Sequence, residues 1–224
     1  MSDLTLIIPA KNEKESLPKV LDELKKFEFK TNIILESSDK FTIEAIKNYN
    51  CNIIYQDSKG YGDALIKGIE TVKTDFFCIF NADGSFNPKE IDLMMSKIKN
   101  NKCDFVFGTR YEKNCGSDDD TLITFIGNYI FTFLGKFFFK LEITDILFTF
   151  IMARTTCAKK LRLASKDFSF CVELPIKAKK ANYKMCTSKS YERARIAGEK
   201  KVSEFKDGLK ILSSMIKLFF NLKI

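Results

Sequence analysis

The 224-residue sequence contains no histidine. Histidine is the usual general base near neutral pH and a common zinc ligand, so its absence excludes Ser-His-Asp triads and the usual zinc enzymes. Any catalysis must therefore use carboxylates, Lys or Arg, hydroxyl groups, thiols, or a hard metal ion bound by oxygen ligands.

No Cys-x-x-Cys pair occurs among the seven cysteines, which are scattered along the chain and odd in number. This pattern argues against a zinc ribbon and against a disulfide framework, and it fits a reducing compartment. We expect most of the cysteines to be small core residues.

The chain also lacks a long uncharged apolar run. Its most apolar stretch, residues 122–151, is interrupted by Lys136, Lys140, Glu142 and Asp145, so it falls short of the roughly 20 apolar residues that span a bilayer. The N-terminal apolar run is only about five residues long and follows Asp3, unlike a signal peptide. We expect neither a transmembrane helix nor a signal peptide.

Acidic residues are scarce in the C-terminal part of the chain. Residues 154–224 contain 18 Lys and Arg against 6 Asp and Glu, a balance of +12, whereas residues 1–153 carry −4. Such a basic half indicates an anionic partner: phosphate, nucleic acid or the anionic cytoplasmic surface of a membrane. A lysine-rich solvated surface is the other interpretation.

Apolar β runs alternate with helical spacings over the first hundred residues. The pattern predicts strands at 4–9, 33–35, 52–55, 76–80 and 105–107, and helices at 14–27, 42–49, 64–72 and 89–99. Strand–helix alternation with short connections predicts an α/β fold with a doubly wound, mostly parallel sheet. Ligands of such sheets bind where the carboxyl ends of the strands meet loops.

The remaining segments are less regular. A polar loop at 115–120 contains three consecutive aspartates and is interpreted as mobile or as a helix cap. Helices are predicted at 121–139 and 170–181, and a strand at 184–188. In the segment 208–222 one helical face carries Leu209, Leu212, Met215, Ile216 and Phe219. This helix either docks on the domain or lies, edged by lysines, in a membrane interface.

The segment 76–85 (FFCIFNADGS) carries the clearest chemical signal. A buried strand ends at Asn81-Ala82-Asp83, and side chains alternate along an extended chain, so Asn81 and Asp83 point the same way. Two oxygen-bearing side chains in this arrangement suit a hard divalent cation that bridges a diphosphate. An ordinary turn is the competing interpretation.

Seven short segments follow one another along the chain: LIIPAKNEKESL at 6–17, SKG at 58–60 with Ala64, Leu65 and Gly68, NAD at 81–83, GTRY at 108–111, Asp145 with Phe150, FCVEL at 170–174, and Arg195 with Gly198, Glu199 and Lys201. Together they resemble the motifs of family 2 inverting glycosyltransferases of the GT-A fold, particularly the polyprenyl-phosphate (dolichyl-phosphate) sugar synthases. The likeness covers residues 4–204.

The resemblance implies a role for each group of residues. The donor nucleotide sugar would contact Pro9, Ala10, Asn12, Glu13, Glu36, Ser38, Lys59, Gly60, Asn81, Ala82 and Asp83. A Mg²⁺ or Mn²⁺ ion would bind Asp83 and Asn81, and the catalytic residues would be Asp83, Asp145 and Arg110. Phosphate or acceptor would contact Arg110, Glu173, Arg193, Arg195 and Lys201. Structural roles stay open, namely a helix N-terminal acid for Glu13, a surface ion pair for Arg110 and a solvated loop for the basic cluster.

Three single positions and one short segment depart from the family pattern. Asn81 replaces the first Asp of the D-x-D motif, which removes a formal charge from the metal site. Residues 36–39 (ESSD) stand in imperfectly for the segment that contacts the base, Thr149 replaces a glycine, and Lys200 replaces a serine. Both UDP and GDP therefore stay open as the nucleotide of the donor.

These features predict a hexosyltransferase that acts with inversion, most simply on a polyprenyl phosphate at the cytoplasmic face of a membrane. An acceptor phosphate is already ionised, whereas a hydroxyl acceptor would need a carboxylate base, for which Asp145 comes first and Glu173 second. We expect a glycosyltransferase domain at 1–204, with a donor half at 1–111 and an acceptor half at 112–204, followed by an amphipathic helix at 205–224. The contact with the membrane would be peripheral, and a homo-oligomer is possible.

Three other functions compete with this one. A glycosyltransferase for a glycan or lipid-linked oligosaccharide would share the donor chemistry. A nucleotidyltransferase would share the sheet, but no Gly-rich G-x-G-T-R-type opening follows the first strand. A binding module for nucleic acid would explain the basic half but not the donor motifs, so no nucleic acid is expected.

Overall fold

The computed structural model describes residues 3–100, 103–198 and 201–223. Within them the strands are β1 (Leu4–Pro9), β2 (Lys30–Leu35), β3 (Asn52–Tyr55), β4 (Phe76–Ile79), β5 (Phe105–Thr109), β6 (Gly116–Ser117), β7 (Ile151–Arg154), β8 (Met185–Lys189) and β9 (Tyr191–Glu192). The α-helices are α1 (Leu17–Leu24), α2 (Lys40–Ile46), α3 (Tyr61–Thr71), α4 (Glu90–Asn100), α5 (Leu122–Phe139), α6 (Thr155–Lys160), α7 (Phe170–Lys180) and α8 (Glu204–Phe219).

Seven of the strands form one twisted sheet in the order β3-β2-β1-β4-β7-β5-β8. All neighbours are parallel except β7, which runs antiparallel to both β4 and β5. Strands β6 and β9 pair separately. The predicted fold class, a doubly wound and mostly parallel sheet flanked by helices, is confirmed.

The sheet buries a hydrophobic core on each face. Along β1, Leu4, Leu6 and Ile8 pack against the side that carries α1 and α4, whereas Ile7 packs against the side that carries α3 and α7. This alternation follows from the two-residue period of a strand. Because β1 to β5 run in the same direction, their carboxyl ends lie along one edge of the sheet.

Strand β7 and helix α6 were not predicted. Residues 151–154 continue an apolar run that begins at Phe148, and no helical spacing separates that run from its surroundings. The strand is defined by its place between β4 and β5, where Met152 pairs with Cys78 and Val106, and this place is not visible in the local sequence.

The predicted helices are present with shifted ends. Helix α1 begins at Leu17 rather than at 14, with Pro18 in its first turn, and continues as a 3₁₀ turn from Lys25 to Phe27. Helix α2 begins earlier than predicted because the Asp39 carboxylate accepts a hydrogen bond from the Thr42 N–H and caps it.

Helix α5 contradicts the expectation that no helix is long and apolar enough to cross a membrane. It has 18 residues with a mean hydropathy of 1.5, and Lys136 is its only charged residue. The charges at 140, 142 and 145, which argued against a span, lie beyond its C-terminal end. By length and composition alone, α5 is the one helix in the described residues that passes this test.

One pair of cysteines also differs from expectation. Cys103, before β5, and Cys186, in β8, form a disulfide across two parallel neighbours of the sheet. Their separation of 83 residues hides the pairing until the strand order is known. The remaining five cysteines are free thiols, of which Cys78 and Cys171 are buried.

Helix α8 docks on the domain and leaves part of itself exposed. Ile211, Met215 and Leu218 are buried in the core on the α7 side of the sheet. The predicted apolar face is only partly buried. Met215 is buried, whereas the other four residues of that face are exposed, namely Leu209, Leu212, Ile216 and Phe219. The helix is therefore apolar on two sides.

Candidate active site

The carboxyl ends of the central strands open into a cleft of about 410 Å³. Its walls are built by the loops that follow β1 to β5, by the N-terminal half of α5, by the segment before β7 and by the loop after β9. A smaller cavity of about 100 Å³ adjoins it and shares Ala10, Lys11 and Glu36. This is the edge of the sheet at which the sequence predicts a ligand.

The structure brings most of the predicted donor residues together. The main cleft is lined by Pro9, Ala10, Glu13, Glu36, Gly60, Asn81, Ala82 and Asp83. Asn12 and Ser38 line the adjoining cavity. Lys59 is exposed and lines neither cavity.

The turn after β4 presents Asp83 to the cleft. Asp83 Oδ1 accepts a hydrogen bond from the Ser85 N–H at 2.9 Å, and the Asn81 amide nitrogen donates to Ser85 Oγ at 3.1 Å. The second carboxylate oxygen, Asp83 Oδ2, lies 3.8 Å from Arg195 Nη1. The ligand atoms that this turn offers to a cation are therefore Asp83 Oδ2 and Asn81 Oδ1.

The basic loop after β9, which begins at Arg193, is joined to the same turn by backbone hydrogen bonds. The Arg193 N–H donates to the Ser85 carbonyl at 2.8 Å, and the Ile196 N–H donates to the Asp83 carbonyl at 2.7 Å. Gly84 between them has a φ of +84° and lies directly under the Ile196 side chain, where a Cβ would clash. The Asp83 turn and the basic loop are thus one unit.

Carboxylates already neutralise the predicted phosphate ligands in this loop. Arg195 donates to Asp119 through Nε and Nη2 at 3.1 and 2.8 Å, and these bonds raise its pKa. Lys201 Nζ lies 3.7 Å from Glu13 Oε1. Burial raises the pKa of Glu13 above its ordinary value, against the lowering effect of its bond from Ser16.

Among the described residues the cleft has more acids than bases. Its wall carries the acids Glu13, Glu36, Asp83, Asp119, Asp120 and Glu192 and the bases Lys11, Arg110, Arg195 and Lys201. A bare diphosphate would meet net negative charge there, so this lining fits a diphosphate that is bound together with a divalent cation.

Arg110 and Asp145 form a buried ion pair at the back of the cleft. Asp145 accepts four hydrogen bonds, from the Arg110 N–H, Nε and Nη2 and from Asn128 Nδ2, at 2.7 to 3.1 Å. Arg110 also donates to Glu192 at 2.8 Å, and these acids raise its pKa despite its burial. Arg110 lines the cleft, but Asp145 does not. The contacts make Asp145 a positioning residue for Arg110 and give no support to the predicted base.

Two predicted acceptor ligands lie away from the cleft. Glu173 is fully buried in the first turn of α7, where it accepts hydrogen bonds from Ala164 and Ser165 and pairs with Lys177 at 2.7 Å. Arg193 turns back to Glu23, to which it donates two bonds at 2.9 and 3.0 Å. Both motifs are present, but their side chains stabilise loops rather than line the site.

Glu173 nevertheless acts on the cleft indirectly. The loop that it holds places the Ser165 and Lys166 carbonyls against Gly62 and Gly60, with no room for a Cβ at either glycine. The Asp63 N–H donates to the Lys166 carbonyl at 3.1 Å. The loop at 164–167 thereby fixes the start of α3 beside the cleft.

The sequence analysis missed several residues of the cleft wall. Asp119 and Asp120 belong to the loop that was interpreted as mobile or capping, and Thr124 and Asn128 lie on the inner face of α5. Three consecutive aspartates before an apolar helix were the available signal. An apolar part of the wall includes Tyr61, stacked on Phe168 at 5.0 Å.

Cys171 is the one cysteine in the described lining of the cleft. Its burial raises the pKa of the thiol to about 12. A thiol with this pKa stays protonated near neutral pH and is a poor nucleophile. The chemistry of the cleft therefore belongs to its carboxylates and basic groups.

Comparison with known proteins gives one family and one fold. The model of glycosyl transferase family 2 matches residues 5–162. An uncharacterized glycosyltransferase of Mycobacterium tuberculosis is 21% identical over 200 residues, which are 89% of each chain. The UDP-N-acetylglucosamine–dolichyl-phosphate N-acetylglucosaminyltransferase of Methanococcus voltae is 27% identical over 80% of this chain and 87% of its own.

Among solved structures, the fold matches glucosyl-3-phosphoglycerate synthase from Mycobacterium tuberculosis, crystallised with Mn²⁺, UDP and glucosyl-3-phosphoglycerate. The TM-score is 0.78 with 11% sequence identity, and the match covers 99% of this chain and 81% of the synthase. At this identity the likeness shows the fold, which is the GT-A-type fold expected from the motifs.

Proposed function

This chain belongs to glycosyl transferase family 2, and on that premise we propose that it transfers a hexose, with inversion, from a nucleoside-diphosphate sugar to a polyprenyl phosphate at the cytoplasmic face of a membrane. That the chain is a glycosyltransferase follows from the family. The donor, the metal, the acceptor and the location are proposed here.

The position of Asp83 carries the proposal. It follows a buried strand, faces a cleft of suitable size and leaves one carboxylate oxygen without a backbone donor. Asp83 Oδ2 and Asn81 Oδ1 would hold Mg²⁺ or Mn²⁺, and the structurally similar synthase is crystallised with Mn²⁺ and UDP. A bound ion of this kind would stabilise negative charge on the departing diphosphate.

The described residues contain no preformed group of three or more His, Cys, Asp or Glu side chains that could hold a metal. Asp83 and Asn81 would supply one carboxylate and one amide oxygen to the cation, and the oxygens of the diphosphate would be needed to complete its ligand set. Metal and donor would therefore bind together.

The donor half, residues 1–111, provides the nucleotide side of the cleft. Ala10 and Glu36 border both cavities, Pro9 lines the main cleft, and Asn12 and Ser38 line the smaller cavity, which suits the nucleoside. Arg195 and Lys201, from the acceptor half at 112–204, lie where they can bind the diphosphate as it leaves. To do so they exchange contacts with Asp119 and Glu13.

The acceptor oxygen attacks the anomeric carbon from the side opposite the diphosphate, so one C–O bond forms while the other breaks. A phosphate acceptor enters this step already ionised and needs no base. Arg110, whose guanidinium is oriented by two hydrogen bonds to Asp145 at the cleft wall, would bind it. The buried, fully bonded state of Asp145 and the dolichyl-phosphate relative both support a phosphate acceptor.

A hydroxyl of a glycan or lipid-linked oligosaccharide is the second candidate acceptor. Asp120 favours it, because this carboxylate lines the cleft beside Thr124 and accepts a hydrogen bond from Tyr111. An acid in that position could take a proton from a hydroxyl group.

The test is turnover of the purified protein with UDP- and GDP-sugars in the presence of Mn²⁺ or Mg²⁺. Polyprenyl phosphate and a soluble glycan are supplied in parallel, and product is counted in the organic and aqueous phases. We expect labelled sugar in the organic phase in a mild-acid-labile, monophosphate-linked product. Transfer to the glycan alone would contradict the phosphate acceptor, and no transfer from any donor would contradict the function.

A further inference from the structure

Helix α5 has the opposite polarity to a helix on the surface of a protein in water. Its buried residues are Asn128, Thr132 and Gly135. Phe131, Leu134 and Phe139 pack half-buried against the core. Most of the other apolar residues lie on the outward side, including Leu122, Ile126, Tyr129, Ile130, Phe133 and Phe137. A surface helix in water buries its apolar side and exposes its polar side. This reversal indicates an apolar surrounding for the outer side.

Helix α8 extends the exposed apolar area. Phe205, Leu209, Leu212, Ile216 and Phe219 are each more than a third exposed, while Ile211, Met215 and Leu218 anchor the helix to the domain. The two helices meet where the Phe219 ring packs edge-on against Phe138, with centroids 5.4 Å apart. We call these outward residues of α5 and α8 the α5–α8 surface. A contiguous exposed apolar surface of this kind marks a site of contact with another protein or with a membrane.

Lysines border this surface along α8. Lys206 and Lys217 are exposed on the side of the helix away from α5, and no ion pair is seen for either among the described residues. Lys210 lies between them but pairs with Asp167 and Asp207. The two acids of α8 are already bonded: Asp207 pairs with Lys210, and Glu204, at the N-terminal end of the helix, accepts a hydrogen bond from Thr121. The border is therefore positive.

This charge distribution distinguishes two possible occupants. A second copy of the chain would bring the same lysines and no free acid of α8 to neutralise them, since Asp207 and Glu204 are already bonded. Anionic lipid headgroups would instead neutralise the lysines while the acyl chains surround the apolar residues.

We propose that the α5–α8 surface is seated in the headgroup and acyl boundary of an anionic bilayer, with both helices lying in the plane of the membrane. Helix α5 lies there rather than crossing, because its inner side is bonded to the domain. Asn128 donates to Asp145 at 2.7 Å, and Thr132 accepts from the Ile146 N–H at 3.2 Å.

The same helix connects the surface to the cleft. Thr124 and Asn128 line the cleft from the inner side of α5, on the opposite side of the helix from the outward apolar residues. The mouth of the cleft is thereby brought to the level of the headgroups, where a lipid phosphate could enter while its chain stays in the bilayer. This consequence rests on the proposed function, whereas the seating of the surface does not.

Vesicle co-sedimentation without donor or acceptor tests the seating. The protein should sediment with vesicles of phosphatidylcholine and phosphatidylglycerol, and less with phosphatidylcholine alone. Phe133→Ser and Leu209→Ser should each weaken binding about ten-fold, from the lost burial of one large side chain. Lys206→Gln and Lys217→Gln should each remove about five-fold of the preference for anionic lipid. Phe41→Ser is the matched control, because Phe41 on α2 is 76% exposed against 57% for Phe133.

The absence of tryptophan allows an independent readout. Phe133→Trp and Phe41→Trp each make a single-tryptophan protein. With anionic vesicles, emission of the first should shift to the blue and be quenched by brominated acyl chains, while the second stays unchanged. Equal responses, or no vesicle binding by the wild type, would overturn the proposal. So would a dimer in sedimentation velocity that Phe133→Ser dissociates while vesicles stay unbound.

The outcomes distinguish membrane binding by the α5–α8 surface from the proposed glycosyl transfer. Asp83→Ala should bind vesicles like the wild type, because Asp83 lies inside the cleft and is not part of the α5–α8 surface. Vesicle binding without sugar transfer would refute the proposed function alone. Sugar transfer in detergent without vesicle binding would refute only the proposal that the α5–α8 surface contacts the bilayer.

Discussion

Arg110 and Asp145 share two parallel hydrogen bonds, Nε to Oδ2 at 2.8 Å and Nη2 to Oδ1 at 2.9 Å. The side chain of Arg110 is 9% exposed and that of Asp145 is fully buried. An acid bound in this way on both oxygens orients a guanidinium and is poorly placed to accept a proton from a substrate. The pair favours an acceptor that arrives ionised.

Asp145→Asn should therefore lower stability and activity together without altering the pH profile. Breaking a buried pair destabilises by about 3 kcal/mol, and Arg110 loses its fixed orientation. The measurements are urea denaturation and the pH dependence of kcat/KM. If Asp145 were the base, the acidic limb of that profile would disappear in the variant.

Gly84→Ala should uncouple the Asp83 turn from the basic loop. The φ of +84° at this position is unfavourable for alanine by roughly 1–2 kcal/mol, and the new Cβ would displace Ile196. We expect a lower urea midpoint and weaker donor binding. Gly84→Ala combined with Ile196→Ala removes the clash but not the backbone strain, so it should recover part of the loss. No recovery would show that Ile196 plays no part.

Glu13→Gln tests the effect of burial on a cleft carboxyl. Because the pKa of Glu13 is raised in the folded protein, the native state binds the proton more tightly than the unfolded state. Stability linked to this group is therefore present below the ordinary pKa of about 4.5 and is lost as pH rises through the raised pKa. Glu13→Gln should gain stability relative to the wild type between pH 4 and pH 7.

Denaturation at several pH values measures that difference directly. Glu44→Gln is the matched control, since Glu44 is an exposed acid on α2. A difference between Glu13→Gln and wild type that stays constant with pH would contradict the raised pKa. A difference of the opposite sign would indicate that Lys201 and Ser16 dominate over burial.

Local patterns predicted the sheet because strand periodicity and loop chemistry depend on neighbours in sequence. Strands β1 to β5 and the turn at Asn81-Ala82-Asp83 were predicted in this way. The insertion of β7 and the disulfide of Cys103 with Cys186 depend on strand order, which a single sequence does not contain.

The site was predicted in part for the same reason. Motifs placed Asp83, Glu13 and Arg110 at strand ends, and these residues do line the cleft. The motifs could not predict where two side chains point. Glu173 points into the domain and accepts a hydrogen bond from Ser165, and Arg193 points to Glu23. The role of Asp119 depends on an ion pair with Arg195, 76 residues away.

Asn81→Asp should strengthen the proposed metal site. It restores a second carboxylate beside Asp83 without a change in size, and a charged oxygen is a better ligand for Mn²⁺ than an amide oxygen. We expect Mn²⁺ affinity in the presence of nucleoside diphosphate to rise by about ten-fold, or roughly 1.4 kcal/mol. Titration followed by electron paramagnetic resonance measures it, and an unchanged affinity would remove Asn81 from the ligand set.

The most direct test of Asp83 as the centre of the donor site is calorimetric titration of UDP and GDP with and without Mn²⁺. The wild type should bind one of them, and the binding should depend on Mn²⁺. Asp83→Ala should weaken it by about 100-fold, or roughly 2.7 kcal/mol, while Asp57→Ala, at an exposed acid, should not. Equal Mn²⁺-dependent binding by Asp83→Ala and wild type would contradict the proposed donor site.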